Sequence, residues 1–377
     1  MTRYRDLGLT VGMLEPGPHS AITDVGDVRV GVTTLIEGDG PLRVGLGPVR
    51  TGVTVVVPHE DIGAESVFAG CHRLNGNGEL TGLEWIRESG QLTTPVAITN
   101  THSVGVVRDA VVAADMRARS DAGAFWSLPV VGETWDGTLN DINGFHVRAE
   151  HLESALRGAA PGPVPEGNVG GGTGMICHEF KGGTGTASRR LSGAEGGWTV
   201  GALVQANYGH RERLTVDGVA VGRAIDVDEV PAPGSDSAST PGAGSIIVIL
   251  ATDAPLLPHQ CERLAQRAGL GVARVGGAGE HSSGDLFLAF STANRGRLAS
   301  YKAEGDPAPF EVTMLPDAAI SPLFWAAIEA TEEAILNALV AAETLTGIDG
   351  VTAHALPHDQ LLDVMTRYGR GPGAARD

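Results

Sequence analysis

Apolar, β-branched runs recur along the chain at positions 28–36, 51–57, 96–99, 128–131, 198–205, 246–250 and 286–290, each bounded by glycine, proline or polar residues. That is the pattern of strands cut off by turns. Several of the runs show no alternation of apolar and polar residues, which predicts strands buried on both faces. Helical spacing appears over 104–117, with its apolar positions on one side, over 258–268, and most clearly over 322–345, where Pro322 suits a first turn and Gly347 a stop. Strands and helices interspersed in this way predict an α/β fold in which helices cover sheet, although strand order does not follow from the pattern.

Between these elements the 54 glycines concentrate at 167–174, 182–185 and 276–279, where loops are expected because the backbone must turn tightly or approach a ligand closely. The stretch PAPGSDSASTPGA at 231–243 is too small and polar to pack and reads as an exposed linker. With 42% hydrophobic and 19% charged residues, the 377-residue chain is expected to be ordered almost throughout. Its length fits one large domain or two smaller ones.

A formal net charge of −18 opposes a phosphate backbone, which argues against a nucleic-acid partner. No run reaches the ~18 apolar residues of a membrane span, and MTRYRDLGLTVG lacks an apolar segment behind positive charge. A soluble, cytoplasmic chain without a membrane partner is the expectation. Cys71, Cys177 and Cys261 are odd in number and far apart, so they are expected to be buried free thiols.

Directly behind the linker stand Gly244-Ser245 and then IIVILAT, which puts a hydroxyl at the mouth of an apolar strand after a cleavable segment. An N-terminal nucleophile is built this way. Attack of Ser245 Oγ on the Gly244 carbonyl, followed by an N-to-O acyl shift and hydrolysis, would free the Ser245 α-amine. With a reference pKa near 7.7–8.0, that amine can act as general base for its own hydroxyl. Gly244 removes side-chain obstruction and tolerates the backbone strain of the attack. Taken alone, the same residues also describe an ordinary serine opening a strand.

More of the chain bears on that choice. DGPLRVGLGPVRTGVT at 39–54, NGNGELTG at 75–82, TNTHSVGVVRDAV at 99–111, NDINGFHV at 140–147, EGNVGGGTGM at 166–175, FKGGTGTASR at 180–189, LVQANYG at 203–209, GSIIVILATDAPLLPHQ at 244–260 and SGDLFLAFSTAN at 283–294 follow in this order. Together they resemble the DmpA-type aminopeptidase family (peptidase family S58), which includes L-aminopeptidase/D-Ala-esterase/amidases and β-aminopeptidases. The resemblance runs from about residue 4 to about residue 346.

It implies an αββα sandwich of N-terminal-nucleophile (DmpA/ornithine acetyltransferase-like) type, a single domain over 1–377 made as an inactive precursor. It also implies self-cleavage into an α chain, 1–244, and a β chain, 245–377, and a homotetramer of such pairs. Matched onto this chain, Ser245 falls on the nucleophile, with the cleavage site between Gly244 and Ser245, and Asn207 on the oxyanion-stabilising amide. Ser283 and Asp285 fall on residues that orient the new amine and the nucleophile. Because a carboxylate would favour the protonated amine, Ser283 suits direct tuning and Asp285 orientation. Glu133 falls on the anion that holds the substrate's ammonium. Trp135 stands where some members carry a tyrosine that assists at the oxyanion, and an indole offers only an N–H donor, so that role is in question and the pocket is expected to differ.

Other signals lead nowhere comparable. His102-Ser103 with Asp109 lacks the nucleophile elbow, since Thr101 occupies its first position. His178-Glu179 lacks a second zinc-helix histidine because residue 182 is glycine. GNVGGGTGM misses the last dinucleotide-loop glycine, with Met175 or Cys177 in its place. No metal and no cofactor are expected. The expected activity is release of a small amino-terminal residue (L-, D- or β-) from small peptides, amides or esters. An acyltransferase to an amino acceptor, and a processing-deficient binding protein, are the alternatives.

Overall fold

The computed structural model describes residues 1–119, 123–234, 244–296 and 309–374. Most of the linker expected over 231–243 therefore lies outside the described residues. The strands are β1 (Arg29–Glu37), β2 (Val49–Val57), β3 (Val67–Arg73), β4 (Gln91–Leu92), β5 (Val96–Asn100), β6 (Val130–Thr134), β7 (Ile176–Cys177), β8 (Phe180–Lys181), β9 (Gly183–Arg190), β10 (Thr199–Asn207), β11 (Ser245–Thr252) and β12 (Asp285–Ser291). The helices include α1 (Leu83–Ser89), α2 (Val104–Ala118), α3 (Ala149–Arg157), α4 (Val221–Ala224), α5 (Pro258–Arg274) and α6 (Ser321–Val340).

Two sheets carry the fold, one in the order β1-β2-β5-β6 and one in the order β4-β3-β12-β11-β10-β9. Helices α2 and α3 pack on the first, α5 and α6 on the second, and β6 meets β10 and β11 across the sheet interface. The result is the four-layer αββα sandwich. Central strands β11 and β12 read as nearly uninterrupted apolar runs because both faces of their sheet are covered. In β11, Ile246, Val248 and Leu250 join the core under α5 and α6, while Ile247, Ile249 and Ala251 join the core between the sheets. In β2, Val53 and Val55 face α2 and α3 and Val56 faces the other sheet. Truncating any of the β11 isoleucines to alanine is expected to cost about 2–5 kcal/mol.

Glycine causes the main departures from the expected elements. Of the segment 182–185, expected to be a loop, only Gly182 lies between strands, and 183–185 open β9. A Cβ on Gly185 would lie 2.0 Å from the carbonyl oxygen of Ala334 in α6, so the helix seats on the strand only where side chains are missing. Helix α5 runs past 268 to Arg274, and a Cβ on Gly271 would meet Thr331 Cβ at 2.6 Å, so this glycine admits α6 and does not end the helix. Helix α6 stops at Val340, short of 345, and Leu345–Thr346 pairs with Thr352–Ala353. All three cysteines are buried and free. Among the described residues no helix is long and apolar enough to cross a membrane.

Candidate active site

Ser245 is the first residue of β11, and the antiparallel register sets it opposite Asn207, the last residue of β10. On the other side the parallel register sets Ile246 against Asp285, the first residue of β12. Three strand termini thus bring Ser245, Asn207 and Asp285 together at one end of the central strands of the six-stranded sheet. Gly244 lies so close to β10 that a Cβ there would stand 2.0 Å from the carbonyl oxygen of Asn207. Only glycine fits in front of the serine.

The Ser245 side chain is buried, and its Oγ accepts a hydrogen bond from the Gly284 N–H at 3.1 Å. Asn207 is held at both ends of its amide. Oδ1 accepts from the Ile176 N–H at 2.8 Å and Nδ2 donates to the Trp135 carbonyl at 2.9 Å. An amide NH2 carries two donors, so one N–H of Asn207 is left, among the described residues, for an incoming group. That is the geometry an oxyanion donor needs: fixed, neutral and pointed.

Ser283 Oγ donates to Asp285 Oδ1 at 2.6 Å, and the Asp285 N–H donates to Asn75 Oδ1 at 2.6 Å. Burial pushes the Asp285 carboxyl up, partly offset by hydrogen bonds from Ser283, the Ile246 N–H and Asn75. The carboxylate is therefore anchored one residue past Ser245, beside the chain that would carry the new amine. Ser283 is joined to Asp285, and the contact with Ser245 Oγ comes from Gly284 between them.

Glu133 lies near the end of β6 and is 2% exposed. Its Oε1 accepts from the Glu79 N–H at 2.9 Å, and the Thr101 hydroxyl donates to Oε2. Burial raises its pKa, and those two hydrogen bonds act against the rise. A Cβ on Gly78 would stand 3.0 Å from Glu133 Oε1 and 3.1 Å from Gly284 Cα. The carboxylate and the glycine that holds Ser245 Oγ thus flank a single backbone position. Trp135 is 40% exposed, with its ring edge-on to His102 at 5.8 Å, and His102 in turn stacks on Phe145 at 6.0 Å. Trp135 therefore supplies a carbonyl that orients Asn207 and a wall of aromatic surface.

Nothing in the sequence singles out Gly284, Asn75, Gly78 or Thr101. The first lies inside SGDLFLAF and the others inside NGNGELTG and TNTHSVG, but they act through the backbone or through a partner distant in the chain. His178 is buried, with Nδ1 against the His210 carbonyl at 3.0 Å, and burial pushes its pKa down to about 4. Among the described residues no group of three or more His, Cys, Asp or Glu side chains is arranged to hold a metal ion.

The family model of peptidase family S58 matches residues 20–353. The chain is 50% identical over 377 residues to beta-peptidyl aminopeptidase BapA of Sphingosinicella microcystinivorans, covering 98% of this chain and 93% of that protein. It is 43% identical over 370 residues to beta-peptidyl aminopeptidase BapA of Sphingosinicella xenopeptidilytica, covering 96% and 90%. Among solved structures, a Burkholderia sp. beta-aminopeptidase superposes with a TM-score of 0.90 at 55% identity, over 98% of this chain and 99% of that one. The L-aminopeptidase D-Ala-esterase/amidase of Ochrobactrum anthropi, described as a variant of the Ntn hydrolase fold, superposes with a TM-score of 0.89 at 44% identity, over 98% and 99%.

Proposed function

As the chain belongs to peptidase family S58 and is an aminopeptidase of the N-terminal-nucleophile hydrolase fold, we propose that Ser245 both cleaves its own chain and then attacks substrate. In maturation, Ser245 Oγ adds to the Gly244 carbonyl, the C–N bond breaks in favour of an ester, and water hydrolyses that ester. The products are 1–244, ending in a carboxylate, and 245–377, beginning with a free amine. In turnover the neutral amine takes the Oγ proton as Oγ adds to the substrate carbonyl, and Asn207 Nδ2 donates to the developing oxyanion. The protonated amine then protonates the leaving group, and water, activated by the same amine, releases the acyl residue.

Glu133 pairs with the substrate's ammonium. Gly78 alone separates it from Gly284, which holds Ser245 Oγ, and in this reading that spacing measures out one residue and makes the cleavage exo-acting. The names of the relatives extend the proposed substrates to peptides, amides and esters that begin with a small residue, β-amino acids and D-alanine included. Exposed Ile36, Val44 and Leu46 on and beside the β1–β2 connection offer apolar surface of the kind an oligomer covers, which fits a homotetramer of αβ pairs. Three free, buried thiols fit a reducing cytoplasm.

The observation that carries the reading is the meeting of Ser245, Gly284, Asn207 and Glu133 behind a glycine that nothing larger can replace. Intact-mass spectrometry under denaturing conditions tests it. Wild type should resolve into 1–244 and 245–377 and should release amine from Gly, Ala and β-Ala amides. Persistent cleavage at that bond in Ser245→Ala would overturn the mechanism.

A further inference from the structure

One buried cation beside the site is not used by this mechanism. Lys181, at the end of β8, is fully buried, and its Nζ donates to the carbonyls of Met175 at 2.8 Å, Gly182 at 2.8 Å and Gly172 at 3.4 Å. Among the described residues no carboxylate pairs with it. Burying an unpaired ammonium is costly, and a methionine would fill the volume without that cost, so the charge is what needs an explanation. Burial pushes its pKa down to about 7, with the Cys177 thiol acting in the opposite direction. Three carbonyl acceptors around one nitrogen match the three donors that only the ammonium form carries.

The peptide bond between Met175 and Ile176 links this lysine to the site. Its oxygen accepts from both Lys181 Nζ and the Gly182 N–H, at 2.8 and 2.9 Å, and its nitrogen donates to Asn207 Oδ1 at 2.8 Å. Electron density drawn to the carbonyl oxygen makes the N–H of the same peptide a stronger donor. Donation into Asn207 Oδ1 does the same for the Nδ2–H groups of Asn207. Such chains strengthen cooperatively, by roughly 10–30% per bond.

We propose that Lys181 is a positioning residue for the oxyanion-stabilising amide, acting on Asn207 through the Met175–Ile176 peptide. The proposal rests on the role given to Asn207 above. Lys181 holds the loop that aims the amide, and its charge raises the amide's donor strength where negative charge develops. Self-cleavage and turnover use one oxyanion site, so both should feel it.

Lys181→Met tests this by three readouts: the self-cleavage rate, kcat and KM of the cleaved fraction, and Tm. Loss of a direct oxyanion donor costs about 10²–10³ in kcat. An indirect contribution, a fraction of that free energy, is expected to lower kcat and the self-cleavage rate by about 3- to 10-fold, with KM changed less than about twofold. Lys181→Arg should recover part of the rate. If Lys181→Met does not fold, Lys181→Gln, which keeps N–H donors but not the charge, takes its place with the same expectation. In an Asn207→Ala background the lysine substitution should cost less than about twofold, because the group it acts through is gone.

A folded Lys181→Met with kcat within twofold of wild type would overturn the proposal. So would an undiminished loss in the Asn207→Ala background, and both results would leave the role of Asn207 standing. If Asn207→Ala itself kept full kcat, the reading of Asn207 would fall and this proposal with it.

Discussion

Buried polar groups gather in two places, and they are satisfied differently. On the α6 side of β9, Arg189 is fully buried, and its guanidinium meets Glu329 at 3.2 Å and Glu333 at 2.8 Å. Arg5 adds a second cation to Glu333 at 2.7 Å, and the Ser20 hydroxyl donates to it at 3.0 Å. Eight residues earlier in the chain, Lys181 has carbonyls but no carboxylate around it. Near it Tyr208 and His178 keep a side-chain polar atom without a hydrogen-bond partner among the described residues. The first cluster is closed, with charge matched to charge. The second is open: Lys181 has no counter-charge, and Asn207, to which its hydrogen bonds lead, keeps one N–H unpaired among the described residues. Closed networks fix structure, whereas open ones store the capacity for chemistry.

If that contrast is right, substitutions in the open cluster should cost rate and spare stability, and those in the closed cluster should do the reverse. The largest effect is expected at Ser245. Ser245→Ala should leave one uncut mass and lower turnover by on the order of 10⁴–10⁶, with Tm within a few degrees of wild type. A large fall in Tm would blur the distinction at its clearest point.

Next comes the closed cluster. Arg189→Met leaves the buried Glu329 with only the Met13 and Leu14 N–H groups and Glu333 with Arg5 and Ser20, and breaking a buried pair costs about 3–5 kcal/mol. Denaturant unfolding should register that loss, while kcat of the folded fraction stays within about twofold. The wild-type network also carries a pH signature. Burial alone would raise the Glu333 carboxyl, but Arg189 and Arg5 hold it below its ordinary value. Its contribution to stability is therefore present above the unfolded-state value and lost as pH falls through the lower folded value. Asn207→Ala ranks third, with kcat down about 10²–10³ and unfolding free energy little changed.

The same contrast explains what could be read from the sequence. Strand β11 was legible because both its faces are apolar, and burial on two sides leaves a mark at every residue. Strand β9 was not, since Gly183 and Gly185 are there for the approach of other backbone, and only the packing partner makes that visible. Ser245 stood out by position, as a hydroxyl between a linker and an apolar run, while Asn207, Ser283, Asp285 and Glu133 needed the resemblance. Gly284, Thr101 and Lys181 escaped both readings. Thr101 touches Glu133 only because β5 and β6 lie parallel, and Lys181 works through a peptide bond that belongs to no side chain.

The smallest of these effects concerns Glu133, which belongs to the open cluster although its hydrogen bonds are made. Burial raises its carboxyl above the ordinary carboxylate value, with the Thr101 hydroxyl and the Glu79 N–H opposing the shift. Only the ionised form attracts an ammonium. As pH falls through this raised value the site should lose its hold on substrate, so KM should rise at a higher pH than an exposed glutamate would allow. The Ser245 amine titrates separately, and Asp285 beside it favours its protonated form, so that ionisation should appear in kcat and at higher pH. Glu133→Gln keeps the shape and removes the charge. It is expected to raise KM about 10- to 100-fold at neutral pH and to erase the acid limb of the KM profile, leaving the kcat profile in place. An acid limb that survives in Glu133→Gln would move ammonium recognition to another residue.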